Sequence, residues 1–207
     1  NNIAVGSFAL RNNTTGGNNT ALGTCALTGN TTAAGNTAVG KSSLTANTTG
    51  ASNTAVGKES LLANTTANDN TALGFRAMCK TTTGCQNAAV GTNVMRQNTT
   101  GDLNVAIGYR ALDANTTADN NTAVGADSLL SNTTGANSVA VGCGALTDNT
   151  VGDQNTAVGG TALGDNTEGE YNAAFGYNAL RKNTTADNNA ALGYYALACN
   201  TTGANNT

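Results

Sequence analysis

The stretch Asn53-Thr54-Ala55-Val56-Gly57, answered by Asn64-Thr65-Thr66 a little further on, decides how this chain is read. In one-letter form it is x-N-T-A-V-G-x-x-A-L-x-x-N-T-T-G-x, and it recurs from one end of the sequence to the other. Counted from Asn1, the chain divides into twelve consecutive units of equal length, the first Asn1–Gly17 and the second Asn18–Ala34. No insertion or deletion breaks the phase, and Asn205-Asn206-Thr207 opens a thirteenth unit. A fixed period of this length marks a stack of equivalent units rather than a globule.

Aligning the units gives 17 columns. Column 4 is alanine in all twelve, from Ala4 to Ala191, column 6 is glycine, from Gly6 to Gly193, and column 14 is threonine, from Thr14 to Thr201. Column 5 is always large and apolar, and column 10 is leucine except at Met78 and Met95. Column 9 is small apart from Val94. Asparagine fills column 2 except at Ser138, and column 13 except at Thr81. Column 8 accepts residues as different as Phe8, Glu59, Arg76 and Gly144, which is the behaviour of a position facing solvent.

Composition points the same way. Aromatic residues make up 4% of the chain and charged residues 10%, with no proline, tryptophan or histidine. Burying one Leu or Phe contributes roughly 1.5–3 kcal/mol, and each unit offers two such residues, too few for a globule but workable when every unit buries them against the next. The strict register also argues against a disordered polar chain.

Helix is disfavoured by the glycine and the Asn/Thr clusters of every unit. T-A-V-G at columns 3–6 reads as a short strand, A-L at columns 9–10 as a second, and N-T-T-G/A at columns 13–16 as a corner. The expected fold is all-β: a parallel β-solenoid of twelve 17-residue coils, a single array over residues 1–207. At about 4.8 Å per coil the rod is roughly 58 Å long. Columns 3 and 5 share one strand face and columns 4 and 6 the other. Both faces are restricted, one to large residues and the other to Ala and Gly. This suggests that both are covered and favours association of chains, a trimer among the options. The asparagines of columns 2 and 13 and the threonines of column 14 are expected to form hydrogen-bonded ladders along the axis. Neither end carries a cap, so a filament is expected, either because the array is an excerpt from a longer fibre or because copies stack head to tail.

The stretch Asn137-Ser138-Val139-Ala140-Val141-Gly142 resembles the S-V-A-I-G core of trimeric autotransporter adhesin head repeats. The N-T-A-V-G-x-x-A-L…N-T-T-G form is similar to repeats of bacterial and phage tail-fibre-like proteins. The resemblance extends over all twelve units and implies a β-roll used in attachment, although the adhesin repeat is shorter than the unit in this chain.

The absence of histidine excludes His-based triads and His metal sites. No nucleophile sits with a base and no phosphate-binding loop is present, so an enzyme is not expected and no cofactor is implied. Net charge is −3 with no basic cluster in sequence, which argues against nucleic acid. No apolar run approaches the length of a membrane span. Column 17 collects Asp102, Asp119, Asp153, Glu170 and Asp187, but its other members are mostly Ala and Asn, so a solvated corner is expected rather than a calcium row.

Two sets of candidate sites remain. N-x-T sequons at Asn13, Asn30, Asn47, Asn64, Asn98, Asn115, Asn132, Asn183 and Asn200 are candidate N-glycosylation sites, with further sequons at Asn12, Asn18, Asn120 and Asn205. The competing reading makes the first nine ladder residues. Asn149 and Asn166 persist where Val151 and Glu168 destroy the sequon, so the asparagine has a use of its own. Of five cysteines, Cys79 and Cys85 flank the corner that lost its asparagine and form a candidate disulfide; the plainer reading is small surface substitutions.

The function expected is that of a structural segment of an extracellular fibre, a shaft or adhesin-like rod at a cell or virion surface. Its partners are copies of itself, laterally or head to tail. One alternative is an adhesive module binding carbohydrate, suggested by Phe75, Tyr109, Tyr177 and Tyr194 in column 7. The other is an ice-binding array of threonines, which requires two parallel outward rows.

Overall fold

The computed structural model describes residues 1–207 and is a parallel β-solenoid without helix. Each unit contributes one short strand from columns 3–5, beginning with β1 (Ile3–Val5) and β2 (Thr20–Leu22) and ending with β12 (Ala190–Leu192). The twelve strands form one sheet in chain order. Every pairing is parallel and offset by one unit: Ile3 lies beside Thr20, Ala4 beside Ala21 and Val5 beside Leu22, and the same columns pair up to Phe175 beside Leu192. Equivalent residues of successive units are therefore axial neighbours.

Axial bonding continues beyond the strands. Of 138 backbone hydrogen bonds, 116 lie outside them, and many of these join one coil to the next, as Leu27 N–H to Ser43 O at 3.0 Å and Thr14 N–H to Thr31 O at 2.8 Å. The backbone of a coil is thus paired even where it is not strand.

The interior is narrow. The alanines of column 4 from Ala21 to Ala174, such as Ala55 and Ala106, are wholly buried. So are Ala77 and Ala111 in column 9, and Leu61, Met78, Met95 and Leu112 in column 10. Where column 9 is serine, its hydroxyl turns back to the carbonyl of column 6, as Ser60 to Gly57 at 3.0 Å. Column 6 must be glycine. Its φ lies near +130°, and a Cβ on Gly91 would sit 2.5 Å from the Gly108 carbonyl oxygen of the next coil.

One expectation needs correction. The A-L dipeptide is not a second strand: columns 7–12 form a continuous turn in which columns 8 and 10 are left-handed, for example Glu59 at φ 60° and Leu61 at φ 46°. Left-handed backbone costs roughly 1–2 kcal/mol for a residue with a Cβ. Burial of the leucine offsets it by roughly 1.5–3 kcal/mol, and the axial hydrogen bond of its N–H adds to that. The two strand faces take different places in the coil. Only the Ala/Gly face is covered within the chain, while the large face of columns 3 and 5 points outward, with Val56 and Val90 38% and Ile107 44% exposed.

Candidate functional site

The interior polar columns are built as files. In column 13, Asn47 donates from Nδ2 to Asn30 Oδ1 at 2.9 Å and to Gly50 O of its own coil at 2.9 Å. In column 2, Asn53 N–H donates to Asn36 Oδ1 at 2.9 Å, and Asn53 Nδ2 donates to Ala67 O at 2.8 Å. Both asparagine columns thus converge on the carbonyls of column 16 and close the coil across its polar end. The amide suits this position because it carries donor and acceptor together without charge. Thr14 Oγ1 donates to Thr31 O at 2.9 Å, and the other column 14 hydroxyls repeat the pattern.

The ladder fixes where the glycosylation candidates lie. Asn30, Asn47, Asn64, Asn98, Asn115, Asn132 and Asn183 are wholly buried with Nδ2 engaged, while Asn13 and Asn200, in the first and last coils, are partly exposed. A glycan is attached through the same nitrogen, so a folded coil has no room for one at the seven buried positions, and the ladder reading holds there. The sequons at Asn12, Asn18, Asn120 and Asn205 are exposed.

The disulfide candidate is not formed: all five cysteines are free. Cys79 Sγ contacts Arg96 O at 3.7 Å on the turn side of the coil. Cys85 instead accepts the Asn68 N–H at 3.3 Å. That is the task of column 17 elsewhere: Asp102 accepts from Cys85 N–H at 2.6 Å, and Asp119 from Asp102 N–H at 2.7 Å. The aspartates of column 17 therefore cap backbone donors of the preceding coil, and no cluster of three His, Cys, Asp or Glu residues is arranged to hold a metal.

Three outer surfaces remain. Column 15 presents exposed threonines, such as Thr66 and Thr100, but the hydroxyls of neighbouring column 14 are turned along the axis, leaving one free threonine row at this corner. On the turn side a cleft of about 380 Å³ opens between coils four and six. Leu62, Ala63 and Cys79 line its floor, with Arg76, Lys80 and Arg96 around them. Arg76 Nε is 2.6 Å from Glu59 Oε2, Arg96 holds Asp113 through two contacts of 3.1 Å, and Lys80 donates to the neutral Gln97 Oε1 at 2.6 Å. Burial pushes the Cys79 thiol up despite the three cations, so it is not an activated nucleophile. At the far end of the array Tyr177 and Tyr194 stack with centroids 5.7 Å apart.

The third surface is the outward strand face. It is legible in sequence as a restricted column, but its exposure is not, because alternation alone does not say which face turns in. No helix is long and apolar enough to cross a membrane. Comparisons with protein-family models, with curated proteins and with solved structures return no match.

Proposed function

We propose that this chain is a structural segment of an extracellular fibre, a shaft at a cell or virion surface in the manner of tail-fibre and adhesin-like rods. One observation carries the reading: the units stack as equivalent rungs, and nearly all of their buried amides, with their backbone and apolar column, are satisfied within the coil and by the rungs on either side. Length is then added by repeating one unit, and outer columns are free to vary. Negative-stain imaging of the purified protein should show a rod about 58 Å long, and an antibody against it should label the surface of intact producing cells or particles. A round particle, or label confined to the cell interior, overturns the proposal.

The basic cleft at Arg76, Lys80 and Arg96 favours a second reading, display of an adhesive site on the shaft. Lys80 has no carboxylate partner. Acidic and neutral oligosaccharides tested in parallel separate the readings. Retention of the acidic ones alone, lost in Lys80→Glu, supports adhesion; retention of neither leaves a passive shaft.

A further inference from the structure

The outward strand face forms a strip that runs the length of the rod. Columns 3 and 5 contribute 24 side chains over twelve strands, and none is charged: 18 are Val, Ile, Leu, Phe or Ala, and six are Thr. On the turn side, by contrast, columns 8, 11 and 12 carry most of the charged side chains, including Glu59, Arg76, Lys80, Arg96 and Asp113. Strand propensity does not explain column 5. Threonine is β-branched and suits a solvated strand, and column 3 uses it six times, yet column 5 never does.

Twelve rungs at about 4.8 Å and three residues at about 3.3 Å give a strip of roughly 58 by 10 Å. That is about 580 Å², the upper range of apolar patches on monomers. Two such strips face to face bury about 1,150 Å², close to the threshold of a specific interface. The backbone beneath is already paired within the sheet, so an occupant has only side chains to satisfy.

We propose that the occupant is a second copy of this chain, laid strip to strip so that two rods run side by side about a twofold axis. This deepens the shaft reading and rests on it. Two features select a second copy over another partner. Self-association sets the strip against an identical strip, which an uncharged surface permits and a surface of one charge opposes. A side chain recurring every rung also needs a partner with the same axial spacing along the whole length, and another copy has it.

The test is sedimentation of the full chain over roughly 1–100 µM, a range suited to an interface near that threshold. The wild type should reach twice its 20.4 kDa mass. The triple variant V56K/V90K/V141K places charges on alternate or more distant rungs of the strip. It should associate at least about 100-fold more weakly, because like charges then face each other across the seam. V56T/V90T/V141T keeps the β-branching and should weaken pairing by about tenfold through lost apolar area. T66K/T100K/T134K, on exposed column 15, should pair as the wild type does. A three-chain mass abolished by the same strip lysines also supports a homotypic seam, with a threefold axis in place of the twofold. A wild type that stays single throughout, or a pair that survives the strip variants, overturns the seam. Neither result touches the shaft reading, which fails only on particle shape or location.

Discussion

Asn64 Oδ1 and Thr81 Oγ1 occupy successive positions of one buried file, and neither has a hydrogen-bond partner. In the other interior rungs, Asn98 apart, the asparagine of column 13 donates to the oxygen before it, as Asn64 Nδ2 does to Asn47 Oδ1 at 2.7 Å. Thr81 is too short to continue the file, and beyond it Asn98 Nδ2 is left with the single acceptor Gly101 O at 3.1 Å. Thr81→Asn should restore the missing bonds and stabilise the array by about 1–3 kcal/mol, since it removes unsatisfied buried groups as well as adding contacts. Thermal unfolding followed by circular dichroism checks this; an unchanged or lower midpoint refutes it.

Column 6 should tolerate nothing but glycine. Gly91→Ala puts a Cβ against the Gly108 carbonyl at a φ of +141° and should cost more than about 2 kcal/mol, from backbone strain and the displaced rung together. Gly17→Ala meets no atom within 4 Å and should be close to neutral. Equal midpoints for the two variants would contradict the close packing of successive coils.

Expression in a glycosylating host distinguishes the two classes of sequon. Folded protein should carry glycan only among the exposed asparagines Asn12, Asn18, Asn120 and Asn205 and the partly exposed Asn13 and Asn200. Chains modified at Asn47, Asn64 or Asn115 should fail to fold, because the substituted nitrogen can no longer serve both acceptors. Glycopeptide mass spectrometry of the soluble fraction reads this directly, and a glycan at any of those three would undo the ladder.

The surface pair of Glu59 and Arg76 sets a small acid sensitivity. The Arg76 guanidinium, through its hydrogen bond and then its charge, holds the Glu59 carboxyl below the usual carboxylate range. Because the folded value lies below the unfolded one, the contribution is complete above the unfolded value and disappears as pH falls through the folded one. Arg76→Gln should let the Glu59 titration, followed by NMR, return upward toward the ordinary range. An unmoved titration would assign the depression to something other than Arg76.

Much of this architecture is legible in the sequence because stacking writes itself as invariant columns. Gly91, Ala106 and Asn115 are each confined to their type by a neighbour one unit away, and such a constraint repeats visibly. The turn at columns 7–12 is not legible. Leu61 and Met95 sit in left-handed backbone that their residue type disfavours, and only the buried slot and the axial hydrogen bonds of the assembled coil hold them there. Propensity read along the chain therefore points to a strand. The direction of the strand faces escapes for a related reason. Both Val56 and Ala55 fit a covered surface, and the choice between them depends on the width of the coil, which no single unit specifies.

The uniform one-unit register also has a kinetic consequence. Every strand meets only the strands of the units before and after it, so no distant segments must find one another before structure can grow. Loop-closure cost is the same small quantity at each step, which favours rapid, local zippering from whichever rungs first assemble. The slow event is the first pair of coils, since a lone coil has nothing on which to lay its leucine; after that the chain can be wound at either end as fast as it emerges.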